Sequence, residues 1–457
     1  MSARPNVRQV HLAAHFPGVN STTVWTDPSA GSQIDFASFE HFARNAERGF
    51  FDYVFLAEGL RLREHKGRVH ELDVLGRPNT LAVLAALAAV TEHVGLVGTL
   101  STTFNEPYEL ARQLATLDHL SGGRAGWNAV TSSDAFHGAN FRRGGYLDHA
   151  DRYERAKEFA ALAKRLWDSW PDDAPRADAA SGVFLDAETP SRVRHTGPQF
   201  DVDALFDVPR SPQGRPVIVQ AGDSADGRSF GAEHAEVIFS LHTGFADAQD
   251  FYRDVKGRLA GLGRAEESLK ILPAATFAIG DTAEEARERS REIALQQVRP
   301  ETAITYIEQV WKRDFSDYDP DGPLPDVEPD TGSELTHGWA NRHAAVRARI
   351  DKLRGLAETE HLSIRELVIR LTAQHTFVGT PEHIASEIDR YVQERATDGF
   401  TVVGHLTPHG LDEFTDRVVP LLQERGSYRS GYEEGATLRD LLGLPAPVPN
   451  GVPAGAR

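Results

Sequence analysis

The sequence predicts an α/β fold, a (β/α)8 barrel with insertions after its fourth and seventh strands. Eight short, largely apolar segments have the character of strands, and each is followed by a segment with helical spacing. Such alternation is typical of parallel βα units and not of an all-α or all-β fold. A chain of 457 residues fits one elaborated barrel, because barrels with insertions run past roughly 400 residues. We therefore expect a single domain over residues 1–440 and an extended tail over 441–457.

The predicted strands are short apolar runs that end beside polar residues. In chain order they are Val10–Phe16, Asp52–Ala57, Gly95–Thr102, Ala125–Val130, Pro216–Gly222, Val237–Ser240, Lys270–Ile279 and Thr401–Thr407. Continuous apolar runs such as DYVFLA are typical of strands that are buried on both faces.

The predicted helices carry apolar residues at three- and four-residue spacing. They are Phe36–Glu47, Thr80–Val94, Leu110–Leu120, Asp148–Trp167, Arg228–His234, Ala246–Leu262, Pro381–Arg395 and Leu411–Glu424. Gly122 and Gly123 follow the third of these helices and supply the flexible stop that it needs before strand four.

Two stretches interrupt the alternation. Residues 171–212 are rich in Asp, Pro and Gly, and we expect short strands and loops there. Residues 282–375 are largely helical, with an acidic, proline-rich and mobile loop over 314–332. We hypothesise that this second insertion closes over a bound ligand. The tail LLGLPAPVPNGVPAGAR is rich in Pro, Gly and Ala, which favours an extended or disordered arm.

Composition excludes several classes of function. The net charge of -18, without any basic run, argues against nucleic acid and anionic membranes as partners. The absence of cysteine excludes disulfides, thiolate nucleophiles and Cys-based metal centres, so redox chemistry would need an organic cofactor or a metal held by oxygen and nitrogen. No apolar run reaches the roughly 18 residues of a membrane span, and the N-terminus has no signal-peptide core. We expect a cytoplasmic protein.

Barrel enzymes place their chemistry at the carboxyl ends of the strands, where this chain has mostly polar residues. The candidates are His15, Glu58, Thr99–Thr103, Asn128–Ser132, Gly222–Ser224, His242 and His405. For each histidine alone, a hydrogen-bonded structural role is the more frequent one. For Asn128, Thr131 and Ser132, a satisfied polar strand end is an equal alternative.

The segment QAGDSADGRSFGAEH after strand five could cradle a phosphate. It places Gly222 and Ser224 where backbone amides at a helix N-terminus meet a hydroxyl group. The alternative is that Asp223 or Ser224 merely caps the helix. His149 and Tyr153 are four residues apart at the start of a helix, so both project from one face. They do not form a metal signature, and we expect no metal.

Longer motifs resemble a known family. They are HLAAHFPG, DYVFLAEG, NEPYELARQLATLDHLSGGRAGWNAVTS, HADRYERAKEF, QAGDSADG, and the GTPE to DGF segment between Gly379 and Phe400. Together they resemble the bacterial luciferase-like FMN-dependent monooxygenases, in the group that contains nitrilotriacetate monooxygenase, pristinamycin synthase and dibenzothiophene sulfone monooxygenase. The resemblance covers nearly the whole chain.

The resemblance implies a TIM barrel that takes up FMNH2 from a separate NAD(P)H:FMN reductase. With O2, such an enzyme oxygenates a small organic substrate through a C4a-(hydro)peroxyflavin. A homodimer or homotetramer is also implied. By motif, the resemblance assigns catalytic roles to Asn128, His149 and Tyr153. The same three residues and five more are implied to bind the cofactor; the five are Glu58, Thr99, Ser101, Gly222 and Ser224. The family usually has Asp where this chain has Glu58.

Two other functions remain open at this level. One is a deazaflavin (F420)-dependent oxidoreductase, which shares the barrel but transfers hydride without oxygen; the SGGRAGWNAVTS segment argues against it. The other is a non-catalytic flavin-binding protein. The sequence does not identify the substrate.

Overall fold

The computed structural model shows eight parallel strands in a closed barrel, within the residues that it describes. Those residues are 7–70, 77–132, 138, 140–141, 149–172, 174–186, 189–330, 335–337 and 343–447. The strands are β1 (His11–Phe16), β2 (Tyr53–Leu56), β3 (Gly95–Ser101), β4 (Ala125–Val130), β5 (Val217–Gln220), β6 (Val237–Ser240), β7 (Lys270–Ile279) and β8 (Gly399–Val403). Each strand pairs with its neighbours in chain order, and β8 pairs with β1 to close the circle. The predicted (β/α)8 barrel is confirmed.

Helices surround the barrel. They are α1 (Phe36–Arg48), α2 (Thr80–Ala88), α3 (Pro107–Leu120), α4 (His149–Trp167), α5 (Ala225–His234), α6 (Phe245–Gly261), α7 (Ala283–Gln297), α8 (Pro300–Trp311), α9 (His343–Glu360), α10 (Ile364–Thr372), α11 (Pro381–Gln393), α12 (Asp412–Arg417), α13 (Val419–Glu424) and α14 (Leu438–Leu441). Among the described residues, none of these helices is long and apolar enough to cross a bilayer.

Strand β8 begins two residues earlier than predicted and ends at Val403. Its first residue, Gly399, pairs with His11 at the start of β1. A Cβ on Gly399 would lie 1.8 Å from the His11 carbonyl oxygen, so only glycine lets the two backbones approach this closely. The closure of the barrel therefore depends on a glycine that the apolar pattern of β8 does not reveal.

Two predicted helices have the wrong extent. Helix α2 ends at Ala88 instead of Val94, because the backbone amides of Glu92, His93 and Val94 donate to Glu47 Oε1 at 2.8, 2.5 and 3.0 Å and hold a turn there. The predicted helix over 411–424 is two helices, α12 and α13, that meet at Val418. Pro420 stands in the first turn of α13, where its missing amide costs no helical hydrogen bond.

The insertion after β4 contains the expected short strands. Val193–Thr196 and Asp201–Ala204 form an antiparallel hairpin, which confirms the strands predicted within 171–212. A third insertion, after β2, was not predicted. Its strands Glu64–His65 and Arg68–Val69 form a hairpin that also pairs with Thr336–His337 from the insertion after β7. The two insertions are thereby joined.

The insertion after β7 is helical, as predicted, and has its own apolar core around Trp311 and Phe315. Its acidic segment is non-helical but fastened: the Val327 carbonyl accepts hydrogen bonds from Trp311 Nε1 at 3.1 Å and Arg354 Nη2 at 2.6 Å. Ile364 N also donates to the Gly322 carbonyl at 2.9 Å. These contacts fasten residues 314–330, the described part of the segment over 314–332 that was expected to be a mobile loop.

The start of the expected tail is part of the barrel. Leu438, Leu442 and Leu444 are buried in one cluster with residues from the amino ends of the strands, among them Tyr53 and Val217. Leu441 and Leu442 lie in or beside α14, so the sequence prediction of an arm beginning at residue 441 is wrong for the described part of this segment. Residues 448–457 lie outside the described residues.

Candidate active site

Polar side chains from β3 and β4 meet at the carboxyl end of the barrel. The register pairs Thr99 of β3 with Asn128 of β4, and Asn128 Nδ2 donates to Thr99 Oγ1 at 2.9 Å. Both side chains are buried, and Asn128 Oδ1 has no hydrogen-bond donor among the described residues. A buried acceptor without a partner costs about 1–3 kcal/mol, which indicates a position prepared for a donor from a ligand.

Gln220, at the end of β5, repeats this pattern. It is 4 % exposed, and its Oε1 has no hydrogen-bond partner in the part of the chain that the structure describes. The sequence-based candidates began two residues later, at Gly222, and so missed Gln220. Its position at the end of an apolar strand was the signal that could have identified it.

Ser101 is fully buried and engaged with the protein itself. Its Oγ lies 2.8 Å from Ser132 Oγ and accepts a hydrogen bond from the Thr103 amide at 3.1 Å. These bonds fix the end of β3 to the end of β4. The assignment of Ser101 to cofactor binding therefore stays a prediction, beside an observed structural role.

Glu58 follows β2 and lies close to Ser101. Burial raises the pKa of the Glu58 carboxyl to about 7, although a hydrogen bond from the Ser101 backbone opposes the rise. Near neutral pH this carboxyl can therefore either donate or accept a proton.

The turn between β5 and α5 brings Gly222, Ser224 and Tyr153 together. Ser224 Oγ accepts a hydrogen bond from the Gly227 amide at 3.1 Å and caps α5, while Tyr153 Oη lies 3.5 Å from Ser224 Oγ. A Cβ on Gly222 would lie 2.1 Å from Gln220 Nε2 and 3.0 Å from Tyr153 Oη, so a larger residue would crowd both side chains. The predicted cap is confirmed. The phosphate cradle stays a prediction, at a helix N-terminus where two hydroxyl groups meet and where anions are favoured.

Helix α4 supplies this tyrosine and holds the strand ends. Arg152 Nη1 donates to the Ser132 carbonyl at 3.1 Å, and Arg155 Nε donates to the Thr102 carbonyl at 3.0 Å. Sequence reasoning missed both arginines, because charged residues on a helix are usually solvated and only the tertiary structure shows these two to be buried. His149 is the first residue of α4, but its side chain lies outside the described residues.

The other strand-end histidines have distinct surroundings. Burial and the nearby Arg77 lower the pKa of His15 to about 4, and its Nδ1 lies 3.2 Å from the Phe55 carbonyl oxygen. Burial likewise lowers the pKa of His405 to about 4. Although burial opposes it, the pKa of His242 is raised by Asp223 and Asp247, each 2.7 Å from a ring nitrogen.

The fold and this rim of polar groups are those of a barrel enzyme. The family model described as luciferase-like monooxygenase matches residues 15–398. An N-acetyl-S-(2-succino)cysteine monooxygenase of Bacillus subtilis is 39% identical over 96% of this chain and 98% of its own. Nitrilotriacetate monooxygenase component A of Aminobacter aminovorans is 39% identical over 93% of each chain. A crystal structure of a riboflavin lyase with modified FMN and riboflavin superposes with a TM-score of 0.79 at 31% identity, covering 96% of this chain and 97% of its own.

The chain belongs to the luciferase-like monooxygenase family. It is an enzyme, a flavin-dependent monooxygenase, as the resemblance in its motifs implied. The relatives named here include two monooxygenases, which favours this class over a deazaflavin-dependent oxidoreductase and over a non-catalytic flavin-binding protein.

Proposed function

We propose that this enzyme takes up reduced FMN from a separate NAD(P)H:FMN reductase and uses O2 to oxygenate a small organic substrate. The observation that carries the proposal is the pairing of two features on one barrel rim. One is the anion cradle at Ser224 and Tyr153, and the other is the buried amide oxygen of Asn128 that lacks a donor among the described residues. A phosphate and a ring bearing N–H groups are what these two features would accept.

The reductase belongs to the proposal because one relative is itself named as one component of its monooxygenase. Because such a reductase would consume NAD(P)H, we propose that the pair works in the cytoplasm. Assembly as a homodimer or homotetramer is proposed from the family likeness alone.

The cradle would hold the phosphate. The N-terminus of α5 offers backbone amides and the positive end of a helix dipole, and Ser224 is exposed to a ligand. Tyr153 Oη, which lies 3.5 Å from Ser224 Oγ, adds a donor. These groups orient the ligand without taking part in bond breaking.

Thr99 and Asn128 would hold the isoalloxazine ring. Because Asn128 Nδ2 donates to Thr99 Oγ1, Oδ1 is the atom of this amide that is left to accept an N–H group of the ring. Gln220 Oε1 is a second acceptor of the same kind. Reduced flavin, when bound, supplies the electrons with which O2 yields one oxygen atom to the substrate and one to water.

Glu58 is the residue best suited to hold or release a proton near neutral pH, since its pKa is about 7. We propose that it replaces the usual aspartate and keeps the hydrogen bond of that residue to the flavin. For His149 we propose a proton-donating role, carried over from the family motif.

Two measurements test the proposal. The first is oxygen consumption with a generic NADH:FMN reductase and a panel of substrates, with mass spectrometry of the products. We expect a product one oxygen atom heavier only when enzyme, FMN and reductase are all present. The absence of any oxygenated product across carboxylate, thioether and alkane substrates would count against turnover with reduced FMN.

The second measurement compares reduced FMN with reduced riboflavin, which lacks the phosphate. Tyr153→Phe should lower the preference for reduced FMN by about tenfold, the value of one hydrogen bond to a charged group. Tyr318→Phe, at an exposed tyrosine, is the matched control and should leave the preference unchanged. Equal preferences in the wild type and Tyr153→Phe would place the phosphate elsewhere.

A further inference from the structure

We propose that His41, His409 and Asp412 bind a divalent transition-metal ion such as Zn2+, at a site separate from the flavin rim. His41 lies on α1, His409 lies in the short 3-10 turn after β8, and Asp412 is the first residue of α12. None of the three is a strand-end residue of the candidate active site.

The three candidate ligand atoms form an equilateral triangle. His41 Nε2, His409 Nδ1 and Asp412 Oδ2 are each 3.1 Å from the other two. An ion placed about 1 Å above the centre of such a triangle would lie about 2.0–2.1 Å from all three atoms, the usual length of zinc bonds to nitrogen and oxygen. The ideal separation of two ligands around tetrahedral zinc is about 3.3 Å, so the triangle needs little adjustment.

A proton and a cation are alternative ways to satisfy these atoms. Two imidazole nitrogens 3.1 Å apart can share only one hydrogen, and both also face the same carboxylate oxygen. If both nitrogens carried hydrogens, both N–H groups would have to donate to the Asp412 carboxylate, whose Oδ1 and Oδ2 lie 3.0 and 3.1 Å from His41 Nε2. A single cation above the triangle would accept all three lone pairs at once.

The carboxylate is already oriented for this task. Asn45 Nδ2 donates to Asp412 Oδ1 at 2.8 Å, and His41 Nε2 also lies 3.0 Å from that oxygen, while Oδ2 lies 3.1 Å from both histidine nitrogens. Hydrogen bonds of this kind, made by the outer atoms of a ligand, fix the geometry of metal sites and raise ligand affinity. Two imidazoles and one carboxylate are ligands that zinc accepts in sites with an open fourth position.

The site is open to solvent, and an ion bound there would affect the structure around it. The side chains of His41, His409 and Asp412 are 40, 48 and 32 % exposed, so an ion can enter and water can complete its shell. The ion would join α1 to the turn after β8. That turn is also held to the loop after β1, where Gly31 N donates to the Thr407 carbonyl at 2.6 Å. Metal binding would therefore reinforce the seam at which the first and last strands of the barrel meet.

The test uses the full-length protein after chelator treatment and dialysis. Calorimetric titration with ZnCl2 alone should show one site per chain with a Kd on the order of micromolar. Co2+, used as a spectroscopic probe, should give the intense visible absorption of a tetrahedral complex. At saturating Zn2+ the thermal midpoint should rise by about 2 °C or more, because the ion binds only the folded chain.

Variants distinguish Zn2+ binding at this site from Zn2+ binding at other surface histidines. His409→Ala should weaken Zn2+ binding by more than about tenfold, since it removes a direct ligand and not only an outer hydrogen bond. Because His409 is exposed, this variant should fold even if His41→Ala does not. The matched control is His383→Ala, an exposed histidine on α11, which should bind like the wild type. No saturable binding in the wild type, or equal binding in His409→Ala, would overturn the proposal.

Discussion

Glu58 shows how far the surroundings of a single residue can change its chemistry. The sequence places an acidic residue after β2, but only the structure shows that burial raises its pKa to about 7. Between pH 4.5, the ordinary value for such a carboxyl, and pH 7, folded Glu58 holds a proton that the unfolded chain has released. The contribution of Glu58 to stability therefore falls as the pH rises through this window.

We expect Glu58→Gln to remove this pH dependence. Relative to the variant, the wild type should lose about 2 kcal/mol of unfolding free energy between about pH 5 and pH 8, after allowance for partial exposure of the carboxyl. Chemical denaturation at the two pH values measures the difference. Glu301→Gln, at an exposed position on α8, is the control. Parallel pH profiles for the wild type and Glu58→Gln would mean that Glu58 is not buried as described.

For single residues, the sequence predicted which side chains lie at the site better than it predicted what surrounds each of them. Thr99 and Asn128 could be predicted because polar residues at strand ends of a barrel face the site, and the structure does bring them together. Gln220 could have been recognised from its position at the end of an apolar strand, whereas Arg155 could not be recognised without the packing of α4 against the barrel. The pKa of a carboxyl such as Glu58 depends on how completely neighbouring elements cover it, which no local pattern records.

Helices and strands were predicted well where the spacing of apolar residues alone decides at which residues the element begins and ends. Helix α1 begins at Phe36, as predicted, and ends one residue later, at Arg48. Helix α2 ends six residues before its predicted end because a carboxylate from another helix, Glu47, accepts three amides at its exit. Such a tertiary cap leaves no signal in the sequence of α2. The hairpin after β2 was missed for a similar reason: its two-residue strands pair with a segment more than 250 residues away.

The Glu47 cap predicts a marked effect on stability. Glu47→Ala leaves three backbone amides without their acceptor and should lower the free energy of unfolding by about 2–3 kcal/mol. Glu40→Ala removes an exposed ion pair with Arg44 on the same helix and should cost less than about 1 kcal/mol. Chemical denaturation of both variants measures the contrast. A similar loss in the two would show that the turn over residues 92–94 does not depend on Glu47.

The whole molecule is a barrel closed at its amino end by its own C-terminal segment. Length and alternation predicted the barrel, whereas the composition of LLGLPAPVPNGVPAGAR predicted only a tail. Leu438 and Leu442 are four residues apart, which is helical spacing, and Leu444 follows two residues later. Pro and Gly residues around these leucines conceal the pattern. We call the segment that carries Leu438, Leu442 and Leu444 the plug, and the amino end of the barrel, which it covers, the floor. The role of the plug can be recognised only when the floor is known to be apolar.

Replacing the plug should destabilise the whole barrel. Leu438 is fully buried against Gly95 and lies near Gly126, so Leu438→Ala should cost about 2–5 kcal/mol. Leu262→Ala, at a half-exposed leucine after α6, should have little effect. Deletion from residue 437 should lower the unfolding midpoint strongly. Thermal denaturation of the three variants checks these expectations, and a stable chain lacking residues 437–457 would contradict them.

The plug also determines when the protein can become native during synthesis. Strand β1 pairs with β8, and the amino end of the barrel is filled by Leu438, Leu442 and Leu444. The ribosome must therefore release the chain through residue 444 before the first strand has both neighbours and the barrel has a base. A nascent chain arrested before residue 438 would present an open apolar floor, the kind of surface that chaperones and proteases recognise. The leucines of the plug thus cover the apolar interior only after the segment that carries them has been made.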